Sequence, residues 1–562
     1  MLWKQSETKK DCAAFIAAGY SKLTALTLSK AGIKTVQEAE EFLHGDELHD
    51  PAQIRNIQKA TDIIWRHIYR ESRICIFGDY DTDGITSSAI MFLALRKLGA
   101  RVYVRLPDRI EEGYGISQKA IEEQMELGTN LFITVDNGVR AVAETAFVKG
   151  NGCDIVILDH HQPGDVLPKA DALIDLHIPR ETYPYVELTG AGLAWKVAHF
   201  MLEQAGEHDY AMALVDLAAI GTIGDVAPLI GENRVIVKRA LRLMRSSMYE
   251  RPGIAALMPD LQHITAEDIA FRISPCLNAP GRLEERGAEL SLLLLLEDRP
   301  QTAMRLAQNI TATNERRKIL QAECFCSIQE EVEQRIQNGE KVIVVCAENA
   351  PSGIAGLLAG TIRERYNRPA IVFTPKKNIE GEVIWTGSAR SVEGFHMLDG
   401  ITCCKDYLKA FGGHKLAAGL SMEADTEKLE LFRSAINRQA TEMDESIFEP
   451  ALYWDMEIST DELTAELFAE MEALEPFGAG VPKPVFRLLT QLNTDKAYDL
   501  LGANRNHLKL YAKGFSMIGF SMAEKYLSSD LPEQIEAVGS LSMNYYRGQA
   551  YKQISLLDFK AA

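Results

Sequence analysis

Short apolar runs alternate with amphipathic stretches through the first third of the chain. Residues 73–78, 101–106, 130–135 and 154–158 are brief, rich in β-branched residues and bounded by polar residues or glycine, a pattern that predicts buried strands. Between them, residues 85–98 and 117–127 carry helical spacing. Strand–helix–strand alternation of this kind predicts a parallel, doubly wound sheet. From 301 to 338 the pattern is helical and polar, with no glycine or proline until Gly339, so a long connecting helix is expected. A second, smaller α/β unit begins with strands at 341–346 and 370–373. Beyond about 448, strand-like segments at 483–489, 507–511, 516–520, 537–541 and 553–559 are punctuated by turn signals, which predicts a small β-barrel. The fold class is therefore α/β with a C-terminal barrel. Its expected units are 1–300 (a parallel-sheet domain with an N-terminal extension), 301–338, 339–440 and 441–562.

Length and composition agree with several units. A chain of 562 residues exceeds what one core supports, and 46% hydrophobic with 25% charged residues is ordinary for a globular protein. The densest apolar run, 290–296, is too short to span a bilayer. The first residues lack a basic segment followed by an apolar one, so no secretory signal and no membrane are expected. Nine scattered cysteines without zinc or redox spacing read as reduced thiols, which suits a cytoplasmic protein. A net charge of −19 argues against non-specific coating of nucleic acid, yet leaves room for one cleft where metals and arginines reverse the field.

The predicted strands end in chemistry. The first runs into Gly78-Asp-Tyr-Asp-Thr-Asp-Gly84, the third into Asp136-Asn-Gly138 and the fourth into Asp159-His-His161; a further acid, Asp225, comes after an apolar helix predicted at 212–220. In open α/β sheets the carboxyl ends of the strands form the functional crevice, so these loops converge. Crowded carboxylates repel one another unless a cation sits among them, and carboxylates with imidazole suit divalent metals such as manganese. With so many ligands two ions are expected, the arrangement that activates water and stabilises a leaving oxygen in phosphate-ester hydrolysis. Each piece alone has a plainer reading. Asp-x-Asp-x-Asp-Gly resembles a calcium loop but lacks the later glutamate. Asp-Asn-Gly is commonly a turn, and Asp-His-His could be a surface turn. Their occurrence together, each after a buried strand, favours a site.

Asp79-Tyr-Asp-Thr-Asp-Gly84, Asp136-Asn-Gly138, Asp159-His-His161 and Gly221-Thr-Ile-Gly-Asp-Val226 resemble the four ordered motifs of the DHH phosphoesterase superfamily. More narrowly, Pro107-Asp-Arg109 with Glu112-Gly-Tyr-Gly115, Pro275-Cys-Leu-Asn-Ala-Pro-Gly-Arg282, Gly387-Ser-Ala-Arg-Ser391, Gly412-Gly-His414 and Leu474-Glu-Pro-Phe-Gly478 are similar to the RecJ family of single-strand-specific exonucleases, from about residue 23 to the end. The resemblance implies Asp81, Asp83, Asp136, His160 and Asp225 as metal ligands, for two Mn2+ or Mg2+ ions. Asp79 is implied as a ligand or an outer partner. Asp159 and His161 are implied as orienting or phosphate-contacting groups at the catalytic centre beside Asp136 and His160. It also implies a substrate-binding set of Arg109, Asn278, Arg282, Ser388, Arg390, Gly413 and His414. The barrel becomes an OB-fold that grips single strands, with Tyr545, Tyr546 and Arg547 as candidate contacts. Read alone, Gly-Gly-His is more often a helix-capping loop, a lone arginine a solvated one, and a barrel tyrosine a packing residue.

The activity implied by the resemblance is that of a monomeric 5′-to-3′ exonuclease on single-stranded DNA, releasing mononucleotides in repair and recombination, and fed by a helicase and a single-strand-binding protein. Two rival readings are a hydrolase of short oligonucleotides or nucleotide phosphates, and a non-catalytic replication scaffold. The barrel counts against the first and the complete acidic set against the second. One departure stands out: Cys276 occupies a position where the family usually has arginine. A chain cut after about Asp444 is expected still to hydrolyse but to bind long strands poorly.

Overall fold

A computed structural model of the protein describes residues 2–562, apart from 8, 9, 110, 111, 114, 378–380, 442, 503, 530, 531, 547 and 548. Its first sheet, whose strands end in the acidic motifs, has five parallel strands in the order Arg101–Arg105, Arg73–Phe77, Thr129–Val135, Asp154–Leu158, Ala172–Ile174. The strands at 73–77, 129–135 and 154–158 are buried on both faces, as a sheet covered by helices demands. Four helices, Lys10–Ala17, Lys22–Lys30, Val36–His44 and Ile57–Tyr69, precede this sheet. The strand order turns outward in both directions from 73–77 and 129–135, so their loops flank the switch point.

The connecting helix spans Pro300–Gln337, close to the expected 301–338. Its first half buries Ala303, Ala307 and Ile310 in the core around that first sheet, and its second half buries Cys324, Phe325, Ile328 and Val332 against the accessory domain. One rigid rod thus sets the position of one domain relative to the other. The accessory sheet runs Ala410–Gly413, Ala417–Glu423, Val383–Arg390, Ala370–Lys377, Ile343–Cys346. Helix Thr426–Ala440 covers one face, and helix Ala355–Tyr366 with the connecting helix covers the other.

The C-terminal unit is β-rich, as expected. One seven-stranded sheet runs Met456–Glu457, Phe486–Gln491, Gln534–Tyr546, Gln549–Ala561, Phe515–Gly519, His507–Ala512, Tyr498–Leu501. It is not a detachable appendage. Its core is continuous with that of the first sheet, and strand Leu2–Gln5 pairs in parallel with Ala451–Trp454. Buried Arg234 donates to the carbonyls of Phe42, Leu474, Glu475 and Pro476 at 2.8–3.1 Å. A chain cut after Asp444 would bare this apolar contact. No helix among the described residues is long and apolar enough to cross a membrane.

Candidate metal centre and phosphate pocket

The first motif is wound tightly around the start of helix Thr82–Lys97. Asp81 caps that helix, accepting from the N–H groups of Asp83 (3.0 Å) and Gly84 (3.1 Å). Gly84 is required because a Cβ there would meet the Asp79 backbone at 2.6 Å. Asp83, buried, accepts from Gly190 N–H (2.7 Å) and Ala191 N–H (2.9 Å) at the start of helix Gly190–Gln204, where the helix dipole favours an anion.

Asp136 sits at φ +60°, a backbone region that a non-glycine residue occupies under strain, held there as its N–H donates to Leu158 O (3.0 Å). Asn137 explains the second motif's middle position. Its buried amide donates to Phe77 O and Val135 O, lashing two strand ends together. Asp159 accepts from the N–H groups of Val139, His160 and His161 at 2.8–3.2 Å and lies 2.7 Å from His161 Nδ1. It therefore holds the loop and orients the ring. The predicted helix at 212–220 is two helices, His208–Ala213 and Val215–Gly224, broken at Leu214. Asp225 caps the second at its C-terminal end, a place electrostatically unfavourable to a carboxylate. Val226 comes next at φ +61°, a β-branched residue in left-handed backbone.

These side chains converge. His160 Nε2 lies 3.0 Å from Asp136 Oδ1, 3.6 Å from Asp83 Oδ2 and 3.9 Å from Asp225 Oδ2. Asp79, Asp81 and Asp136 bring one oxygen each within 4.8 Å of one another, as do the ligand atoms of Asp83, His160 and Asp225, and those of Asp136, His160 and His161. Asp136 and His160 thus belong to overlapping groups, the geometry of residues shared between two ions. Burial, together with the charge of Asp81, pushes the Asp79 carboxyl well above the usual carboxylate range. Burial and the charges of Asp83, Asp81, Asp79 and Asp225 do the same to Asp136. Asp225 is raised to about 8 by burial and by Asp83 and Asp81. Burial opposes a charge on His161, but the Asp159 hydrogen bond and charge outweigh it and raise the ring to about 9. Asp79 Oδ1 is buried without a hydrogen-bond partner. A divalent cation fits this donor set: it would neutralise the crowding and take up the orphaned oxygen.

A second feature is positive. Arg109 stacks over Tyr80 at 4.6 Å. Arg282, on helix Ser274–Leu283, donates to Gly353 O (3.1 Å) and so touches the accessory domain. Ser388 and Arg390, at the end of strand Val383–Arg390, flank Gly356, where a Cβ would lie 3.4 Å from Ser388 Oγ and 3.2 Å from an Arg390 nitrogen. Burial and repulsion from Arg109, Arg317 and Arg390 push Arg282 down to about 9. Among the described residues no salt bridge neutralises any of these four guanidiniums. Such a cluster calls for a bound anion. Asn278 and Arg282 line a groove of about 700 Å3 together with Arg317, Lys318 and the exposed Phe271, and Asn278 Oδ1 is buried without a partner.

Nothing in the sequence singles out Arg317, since it sits in a helix crowded with charge. Its guanidinium is steered by Asn314 Oδ1 and Gln321 Oε1, and Asn314 also donates to Cys276 Sγ at 3.4 Å. The connecting helix thus carries a cation beside Cys276.

Gly413 and His414 lie elsewhere. They form a hairpin, not a helix cap: a Cβ on Gly413, at φ +153°, would meet Ala417 O at 2.4 Å, and His414 N–H donates to that same carbonyl. His414 lines a cavity of about 240 Å3 with His161 and Arg140, bringing the accessory domain to His161. Tyr545 stacks on His263 (3.7 Å, 1°) and donates to Glu472 Oε1. It lies at the joint between the barrel and the DHH-type domain, where it lines a cavity of about 480 Å3. The Tyr546 side chain and Arg547 lie outside the described residues. Lys509, Tyr511, Tyr551 and Lys552 line a concave barrel face of about 700 Å3.

Comparison with known proteins agrees with this arrangement. The DHH family N-terminal domain matches residues 73–222, the DHHA1 domain 339–442 and the RecJ OB domain 454–558. The single-stranded-DNA-specific exonuclease RecJ of Bacillus subtilis is 35% identical, covering 95% of this chain and 67% of its own length. The Escherichia coli protein of the same name is 31% identical, covering 93% of each. The crystal structure of Thermus thermophilus RecJ in complex with Mn2+ superposes with a TM-score of 0.80 at 27% identity, over all of this chain and 79% of that one. With its three domains, its ordered acidic motifs and relatives of this similarity over nearly its whole length, the chain belongs to the RecJ family.

Proposed function

We propose that this protein is an exonuclease on single-stranded DNA that works from the 5′ end, holding two divalent ions at Asp79, Asp81, Asp83, Asp136, His160 and Asp225. The observation that carries the reading is a set of clustered carboxylates and imidazoles overlapping at Asp136 and His160, beside arginines that no salt bridge among the described residues neutralises. Bound Mn2+ or Mg2+ supplies positive charge for phosphate oxygens and a more acidic water. The protein's own residues do the rest. Asp136 and His160 hold the two halves of the centre at one spacing, and the Gly190 and Ala191 amides fix Asp83. His161, oriented by Asp159, shares its cavity with His414 and Arg140, where it is placed to donate to a phosphate oxygen. Arg109, Arg282, Ser388 and Arg390 hold a terminal 5′-phosphate, which sets the register so that each cut frees one nucleotide. The lysine- and tyrosine-lined barrel face holds the trailing strand by stacking and backbone charge. In the cell this suits a monomeric cytoplasmic enzyme of repair and recombination, acting on strands opened by a helicase.

The test compares 5′-phosphorylated with 5′-hydroxyl single strands. Wild type favours the phosphate by about 1.5–3 kcal/mol, the scale of charged hydrogen bonds. Arg390→Ala loses most of that preference while keeping its manganese dependence. Equal preference in both proteins would place the choice of end elsewhere.

A further inference from the structure

Away from the carboxylate centre, another group of side chains has donor chemistry of a different kind. His199 and Glu203 lie one turn apart on helix Gly190–Gln204, and His208 opens the next helix, His208–Ala213. Gly206, at φ +77°, closes the turn between the helices and returns His208 over the last turn of the first. His199 Nε2 lies 3.1 Å from Glu203 Oε1, and His208 Nδ1 contacts the same oxygen. One ligand atom from each of the three lies within 4.8 Å of the other two.

The arrangement is braced from below. Trp195 stacks flat on His199, with ring centroids 5.4 Å apart and planes 2° from parallel. The Trp195 indole N–H donates to Ala211 O at 2.9 Å, so the ring that fixes His199 is itself tied to the helix carrying His208. Glu203 and His208 are exposed and His199 forms the base, so an ion reaches the cluster directly from solvent.

We propose that His199, Glu203 and His208 form a binding site for one Zn2+ ion or a similar borderline transition metal. Two imidazoles and one carboxylate match zinc, and three protein ligands plus water complete a tetrahedron. Mg2+ demands oxygen ligands and would pass this site by. The ion takes the place of the hydrogens that now bridge the rings and the carboxylate, and those hydrogens leave as protons. It staples two consecutive helices at the far end of the helix whose first amides hold Asp83. The site is therefore a structural clip, separate from the nuclease centre in position and in metal preference.

The experiment titrates Zn2+ into wild type, His208→Ala and Glu203→Gln in excess Mg2+, which occupies the oxygen-rich centre, with a chromophoric chelator reporting free zinc. Wild type should hold one Zn2+ more than either variant, or hold it more tightly by at least the roughly 10–100-fold that even an outer-shell partner contributes. Zinc should raise the melting temperature of wild type and not of the variants. Both variants should keep full manganese-dependent nuclease activity, which also certifies their fold. Equal zinc stoichiometry and affinity in all three proteins would overturn the proposal and leave a hydrogen-bonded triad.

Discussion

Gly190 offers a sharp test of the metal centre because it touches two acids without being one. A Cβ at this position would lie 2.6 Å from Asp136 Cβ, 2.9 Å from its Cγ and 2.8 Å from Oδ1. Ordinary carbon contacts are about 3.5–4.0 Å, so Gly190→Ala requires the two residues to part by roughly 1 Å. No rotamer change relieves the clash, since Asp136 Cβ does not move with its own side-chain torsions. The Asp136 backbone is held by Leu158 O, and the Gly190 amide is held by Asp83 at 2.7 Å. Whichever side yields, one proposed ligand is displaced. Overpacking of this kind costs about 1–3 kcal/mol of stability, and a 1 Å misplacement costs on the order of 100-fold in rate. Gly192 is the control two residues on: a Cβ there meets Leu188 at 3.4 and 3.5 Å. Gly192→Ala should be active and more stable by about 0.5–1 kcal/mol from helix propensity. The assay is manganese-dependent nucleotide release from a 5′-phosphorylated single strand across a range of Mn2+, with metal-free melting curves alongside. Gly190→Ala should need more Mn2+ and turn over at least ~30-fold more slowly. A folded Gly190→Ala protein with wild-type rate and manganese requirement would refute the placement of Asp136 as a shared ligand.

Asp136→Asn should abolish hydrolysis yet raise the metal-free melting temperature, because the buried, crowded carboxyl must hold either a repelled charge or a proton taken up on folding, and an amide needs neither; an active variant would exclude Asp136 as a ligand. Arg317→Ala should weaken capture of a short 5′-phosphorylated strand by about 10–100-fold, equivalent to roughly 1.5–3 kcal/mol, without altering the Mn2+ requirement; unchanged binding would remove Arg317 from the pocket. Arg234→Lys keeps the charge but loses the fork that reaches several carbonyls, and should lower stability by about 1.5–3 kcal/mol in thermal melts. Tyr511→Ala with Tyr551→Ala should reduce affinity for long strands by about 1–3 kcal/mol per lost stack while sparing dinucleotide cleavage, and equal loss on both substrates would contradict a strand-holding role for that face.

The strands at 73–77 and 154–158 were legible to within a residue because each is a short β-branched run with polar ends. The connecting helix was legible because nothing in it breaks the helical period. Other elements hid behind their own chemistry. Helix Ser274–Leu283 carries Pro275 near its start and Pro280 inside, and comes after a π-helical turn, Ile269–Ile273, so its pattern does not read as helix. The strand Leu2–Gln5 is too short to announce itself and exists because Ala451–Trp454 lies beside it.

For the site, the sequence alone determined which residues are acids and histidines and that each motif comes after a buried apolar element, because apolar runs and motif order are local properties. Tertiary structure decided everything that depends on approach between distant segments. It set the distances that place Asp136 and His160 in two overlapping groups, placed Arg317 beside Cys276, and stacked Tyr545 on His263. The reason is physical: a side chain's identity is written in one residue. Its electrostatic surroundings and its neighbours are sums over segments that meet only when the cores between them pack.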